Sequence, residues 1–230
     1  MSAAQIDHLV VMAATLEEGV AWCEATLGVT PDAGGQHAFM GTHNRLLRTS
    51  SAVAPHSYLE IIAIDPAGNP PTQGQRWFDM DQPTLRAAVA AHGPQLIHWV
   101  ARASIVSATT ALHALGQHAG TPQSASRHTL RGLLEWQIGL RADGQRLMDG
   151  LLPTLIQWGD IHPEATMADH GVQLQRLELH HPQAPTLQAA LDAIGLKDSA
   201  AIHIASASQP ALIAHLQTPK GAVQLHSHLG

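Results

Sequence analysis

A chain of 230 residues, 45% hydrophobic and 13% charged, can bury a sizeable core and is too apolar to stay disordered. Twelve Lys and Arg against eighteen Asp and Glu give a net charge of −6, which offers no basic surface for nucleic acid or an anionic membrane. Cys23 is the single cysteine, so neither an intrachain disulfide nor a thiolate metal cluster can form, and a reducing, cytoplasmic compartment is expected.

The chain begins MSAAQIDHLVV, without the basic stretch of a signal peptide, and Asp7 and His8 interrupt its first apolar run. No segment reaches the ~18 consecutive apolar residues of a membrane span. From Ile6 to Val11 the residues read as a strand, and THNRLLR and SYLEIIAID repeat that character. Between them TLEEGVAWCEATLG reads as a helix. Thr15 and Glu18 have capping-box spacing, Leu16, Val20, Cys23 and Leu27 share a face, and Gly28 suits the left-handed end. DAGGQ reads as a turn, and the Pro- and Gly-rich DPAGNPPTQGQRWFDMDQP as a linker.

The order strand, helix, strands then returns. LIHWVAR is followed by SIVSATTALHALG, LLEWQIGL and PTLIQWGD; His8 and His98 correspond, as do Leu27 and Leu115, and Glu60 and Gln157. After the loop GDIHPEATMADHG comes a shorter pass: LQRLELHH, a helix TLQAALDAIG closed by Gly195, then AIHIASA, ALIAHLQT and AVQLHSH. The expected fold is α+β. It comprises a βαβββ module over 1–66, a linker over 67–94, a second βαβββ module over 95–160, and a degenerate βαβ-type third module over 161–230.

Strand alternation places Ile6, His8 and Val10 on one face, Leu96, His98 and Val100 on the matching face of the second module, and Glu60 mid-strand beside Tyr58 and Ile62. A buried carboxylate needs a partner. If the two modules curve together, His8, Glu60 and His98 converge on one cleft, a donor set suited to divalent iron, manganese, nickel, cobalt or zinc. Taken singly, each histidine is as well explained as a hydrogen-bonded core residue. His180, His181, His226 and His228 are expected to be solvated, Trp136 and Trp158 to serve as core or cleft wall, and Cys23 to pack.

These modules, with IDHLVV, YLEIIAIDP and LIHWVA, resemble the vicinal oxygen chelate superfamily, and more narrowly the bacterial glyoxalase-like domain proteins. The resemblance implies metal ligands at His8, Glu60, His98 and the position of Gln157, where an amide replaces the usual carboxylate. It also points to Asn44 and Arg127 as substrate-binding residues; each has a bland alternative, a turn for Asn44 and a solvated strand end for Arg127. The function so implied is a metal-dependent lyase, isomerase or dioxygenase acting on a small substrate with vicinal oxygens, with Glu60 or bound water moving the proton. The alternatives are a metal-free protein that sequesters a small molecule, and an interaction protein whose third module fills the cleft. No nucleotide-binding glycine motif is present. Two modules in one chain complete the site without a partner, although a homodimer is left open by the association common in the superfamily.

Overall fold

The computed structural model describes residues 4–129 and 132–227. In chain order its elements are β1 (Gln5–Met12), α1 (Leu16–Leu27), β2 (Asp32–His37), β3 (Thr42–Arg48), β4 (Tyr58–Ile64), α2 (Pro83–His92), β5 (Gln95–Arg102), α3 (Ile105–Ala114), β6 (Thr121–Thr129), β7 (Gly132–Leu140) and β8 (Thr154–Trp158). The last segment adds β9 (Gln173–His181), α4 (Ala184–Ala193), β10 (Ile202–Ser206), β11 (Ala211–Thr218) and β12 (Gly221–His226).

The first helix forms as its sequence dictates. Thr15 accepts a hydrogen bond from the Glu18 amide, and Gly28 closes the helix at φ 80°. Gly19 lets it press on β4, because a Cβ there would lie 2.5 Å from a methyl of Ile61. Cys23 is buried on the same helix, and burial pushes its thiol up to about 12, so the side chain packs rather than reacts.

Eight strands form one curled sheet in the order β2-β3-β4-β1-β5-β8-β7-β6. Within each half the first strand runs parallel to the last, β1 to β4 and β5 to β8, and β1 and β5 join the halves antiparallel. Leu9 faces Trp99 at the centre, flanked by His8 opposite Val100 and Val10 opposite His98, so an approximate twofold relates the residues of β1 to those of β5 ninety positions later.

That pairing carries two irregularities, one between Ile6 and His8 and one between Val10 and Val11, where the partner strand steps from His98 to Leu96. Asp7 and Ile97 are therefore the extra residues of two symmetry-related bulges. A bulge reverses the phase of alternation. Ile6 and Leu96 accordingly pack on the convex side with Leu9 and Val11, while Val10, Val100 and Ile62 face the concave side, contrary to the expectation that Ile6 and Leu96 share a face with the histidines.

The convex side packs on α1, α3, α4 and a second sheet, β10-β9-β11-β12. In that sheet β9 pairs parallel with β10 and antiparallel with β11, so the third segment repeats the element order of the others but not their strand pairing. The linker contains α2 and folds into the concave side, where Trp77, Phe78 and Met80 join Val10, Val100 and Ile138 in a second core. DAGGQ is part of β2, not a turn, and TPQSASRHT is a strand that hydropathy did not disclose. His181 is buried and hydrogen-bonded to Asp149 and to the Gln183 amide, whereas His226 is exposed as expected; His228 lies outside the described residues.

Candidate active site

The part of the concave side left open by the linker is a narrow cleft, lined by polar groups at its base and by Tyr58, Trp77, Trp136 and Trp158 on its walls. His8 comes from β1, Glu60 from β4, Asn44 from β3 and His37 from β2. His8 Nε2 lies 3.6 Å from Glu60 Oε2, and His37 Nε2 lies 3.9 Å from Glu60 Oε1. Asn44 Nδ2 donates to Glu60 Oε1 at 2.6 Å, while its own Oδ1 accepts from the Gly35 amide at 2.8 Å. Burial lowers His37 to about 4, partly opposed by Glu60, so its ring is neutral near pH 7.

Behind His8 sits Asp7, fully buried. Being the bulge residue, it can meet the side chain of its own neighbour: Asp7 Oδ1 is 2.7 Å from His8 Nδ1. Its Oδ2 receives Trp158 Nε1 and His162 Nε2, each at 3.0 Å. Burial alone would raise this carboxyl, but the hydrogen bonds from His162 and His8 outweigh it and hold Asp7 well below the usual carboxylate range. An ionised carboxylate can only accept, so His8 presents Nδ1–H to Asp7 and turns Nε2 toward Glu60. His162 belongs to the segment GDIHPEATMADHG, whose Pro163 also lines the cleft and whose Glu164 is held by Arg48, Ser50 and His56. That segment is thus a strap across the site as well as a connection.

The symmetry-related place in the second half is differently furnished. His98 Nδ1 is 2.9 Å from the Gly150 carbonyl, and its Nε2 is 3.0 Å from Thr154 Oγ1, with Phe78 packed on the ring at 5.1 Å. Burial lowers it to about 3, with a contribution from Arg146. By strand register Val10 pairs with Glu60 and Val100 with Thr154, so Thr154 is the counterpart of Glu60, as Ile97 is of Asp7. His98 therefore does not line the cleft, and among the described residues no carboxylate is paired with it.

Gln157 does not reach it either. Alternation along β8 sends Ile156 and Trp158 into the cleft and Gln157 outward, where its Oε1 accepts from the Ile105 amide at the start of α3. Matching YLEIIAIDP to LPTLIQWG by pattern selects Gln157, whereas strand register places the counterpart three residues earlier, at Thr154. Asn44 lies in the cleft with both ends of its amide engaged, Nδ2 on Glu60 and Oδ1 on the Gly35 amide, so it orients Glu60. Arg127 does enter the cleft from β6. Sequence reasoning missed Asp7, His37, His162 and Trp77; the signal for Asp7 was its position beside a strand histidine, readable only with the bulge in hand.

The four-ligand metal set implied by the resemblance fails this geometric test. Only His8 and Glu60 of the four face the cleft, and among the described residues no group of three or more His, Cys, Asp or Glu side chains is placed to hold a metal ion.

A family model described as "Glyoxalase-like domain" matches residues 6–195. The chain belongs to that family. No curated protein sequence matches it. Among solved structures, a hypothetical protein from Staphylococcus aureus is similar over 97% of this chain and 85% of its own, at 12% identity and a TM-score of 0.56, which is a likeness of fold. Looser likenesses are to Streptomyces coelicolor methylmalonyl-CoA epimerase with 2-nitronate-propionyl-CoA (16% identity, 68% and 97% covered, TM-score 0.37) and to a mutant of 4-hydroxymandelate synthase from the same organism (12%, 99% and 63%, TM-score 0.45). The glyoxalase-like chain has the mixed α+β, vicinal oxygen chelate fold, and no helix among the described residues is long and apolar enough to cross a membrane.

Proposed function

We propose that this glyoxalase-like protein is an enzyme that moves a proton at a carbon next to a carbonyl in a small oxygenated compound, an isomerase or lyase whose acid–base pair is Glu60 and His8. The carrying observation is that these two side chains share the base of an aromatic cleft, Nε2 to Oε2 at 3.6 Å, each held by a dedicated partner, Asp7 for His8 and Asn44 for Glu60. Two groups so oriented meet the geometric requirement for general acid–base catalysis. In the forward step the C–H bond breaks, its proton goes to Glu60 Oε2, and its electron pair passes into the enolate. His8 Nε2 exchanges a proton with the same carboxyl or with a substrate oxygen, and return of a proton to carbon completes the cycle. Trp136, Trp158 and Tyr58 exclude water from the intermediate.

The divalent ion expected from the resemblance has no step in this reading, because His98 and Gln157 are engaged elsewhere. A second reading, sequestration without turnover, is favoured by the mostly aromatic walls. Deuterium exchange separates the two. Incubation of small 2-oxo acids, hydroxyketones and their esters in D₂O, followed by proton NMR, should reveal enzyme-dependent loss of the α-proton signal that Glu60→Gln removes. Equal exchange with Glu60→Gln would sink the acid–base assignment, and no exchange with any of these compounds would leave sequestration.

A further inference from the structure

Three donors in the cleft have nothing to bond. Arg127 Nε and Nη1 and Trp77 Nε1 are shielded from solvent and have no hydrogen-bond partner. Native proteins leave few buried donors unpaired, since each forfeits the hydrogen bonds it made to water, a loss that is larger for a charged group. The carboxylate that lines the cleft, Glu60, is taken by Asn44 and lies beside the two histidines, and among the described residues no acid forms an ion pair with Arg127. The guanidinium is nonetheless deliberately admitted. Gly35, on the facing strand β2, leaves room for it: a Cβ at that position would stand 2.1 Å from Arg127 Nη1. The adjacent Gly34 does the same for Asn44, whose Oδ1 would be 2.1 Å from a Cβ there. The paired glycines of DAGGQ thus clear space for two side chains of one site.

We infer that the cleft binds a small organic oxyanion, a carboxylate or phosphonate seated on Arg127 and Trp77, with a flat apolar body between the aromatic walls. The inference rests on the acid–base reading of the site and names its substrate class. The unpartnered Nε–H and Nη1–H of the guanidinium can each donate to an oxygen of such an anion, and the indole N–H of Trp77 supplies a further donor. The walls set the other end. Trp136 and Trp158 lie with ring centroids 5.6 Å apart, and Tyr58 stacks on His8 at 4.6 Å, surfaces that favour an aryl or other planar group over a flexible polar chain.

The test uses benzoate and phenylphosphonate beside benzamide, a neutral compound of the same shape, and acetate, an anion without the body. Each is titrated calorimetrically into the full chain, with wild type compared to Arg127→Met. Charge-assisted hydrogen bonds predict that benzoate and phenylphosphonate bind at least about tenfold more tightly than benzamide. They should also bind more tightly than acetate, and Arg127→Met should abolish the preference. Methionine replaces an unpaired buried cation, so the variant is expected to keep its melting temperature. Should it not, the comparison of probes on wild type still decides. Benzamide binding as well as benzoate, equal anion binding by Arg127→Met, or no binding of any probe would overturn the inference. The readout is occupancy, so anion binding without deuterium exchange would remove only the acid–base reading, and exchange confined to neutral ketones would remove only this inference.

Discussion

Replacing Asp7 by Asn tests whether the buried carboxylate organises the site. The perturbation is isosteric, yet it exchanges one acceptor oxygen for an NH₂ group that must point at a donor, either His8 Nδ1–H or the pair Trp158 Nε1–H and His162 Nε2–H. Three hydrogen bonds to a charged acceptor, at 2.7, 3.0 and 3.0 Å, are involved. At ~1.5–3 kcal/mol each they oppose the several kcal/mol lost when the carboxylate left water, so the net loss on breaking the set is about 3–5 kcal/mol. Urea unfolding at pH 7.5, followed by tryptophan fluorescence, should show the midpoint falling by ~1–2 M for a slope of ~2–3 kcal/mol/M. His162→Ala combined with Asp7→Asn should then lose less than the sum of the single variants, because both disrupt one network. A loss under about 1 kcal/mol for Asp7→Asn, or strict additivity with His162→Ala, would refute the account of Asp7 as the hub.

Acid should destabilise the fold through its buried histidines. His98 and His37 are held at about 3 and about 4, below their value in the unfolded chain, so between roughly pH 6.5 and 4 the unfolded state binds protons that the folded state refuses. Stability is fully present above that window and falls as pH drops through it, by up to about 2.7 kcal/mol per pH unit for two groups. His98→Gln should roughly halve the slope of stability against pH measured by urea titration across this range; an unchanged slope would show that His98 is protonated in the fold. Gly35→Ala should displace Arg127 from its 2.1 Å approach and weaken benzoate binding about tenfold or more, while the exposed edge of β2 limits the loss of stability to about 1 kcal/mol. Unaltered binding would mean that the strand yields instead of the arginine.

Much of this architecture is written in local patterns. The Thr15 cap, the Gly28 terminus and the apolar strands around His8, Glu60 and His98 follow from periodicity and cap chemistry, and their recurrence disclosed the duplication. Three kinds of feature were not legible. Bulges at Asp7 and Ile97 invert alternation without any compositional sign, so Ile6 and Leu96 were assigned to the wrong face. Register between β5 and β8 depends on how long the intervening loops are, which moved the counterpart of Glu60 from Gln157 to Thr154. Strands such as DAGGQH and TPQSASRHT owe their extended form to pairing with β3 and β7 rather than to β-branched or apolar residues, and α2 hides in a linker rich in Pro and Gly. Of the proposed site residues, His8, Glu60, Asn44 and Arg127 do meet in one cleft, whereas His98 and Gln157 are held elsewhere by Gly150, Thr154 and Ile105.

The two bulges, alike in backbone and unlike in side chain, imply a division of labour between the copies of a duplicated unit. In the first copy the bulge carries Asp7 and the facing strand carries Glu60; in the second the same places hold Ile97 and Thr154, and Phe78 fills the space above His98. Substitutions at Ile97 or Phe78 answer only to volume and polarity, and many combinations of apolar residues satisfy that demand. Those at Asp7 and Glu60 answer to the placement of single hydrogen bonds, which few side chains satisfy. The first copy thus holds the side chains of the proposed acid–base pair while the second lends Arg127 and Trp136 to the cleft, so ligand preference can change in the second half without disturbing His8 and Glu60.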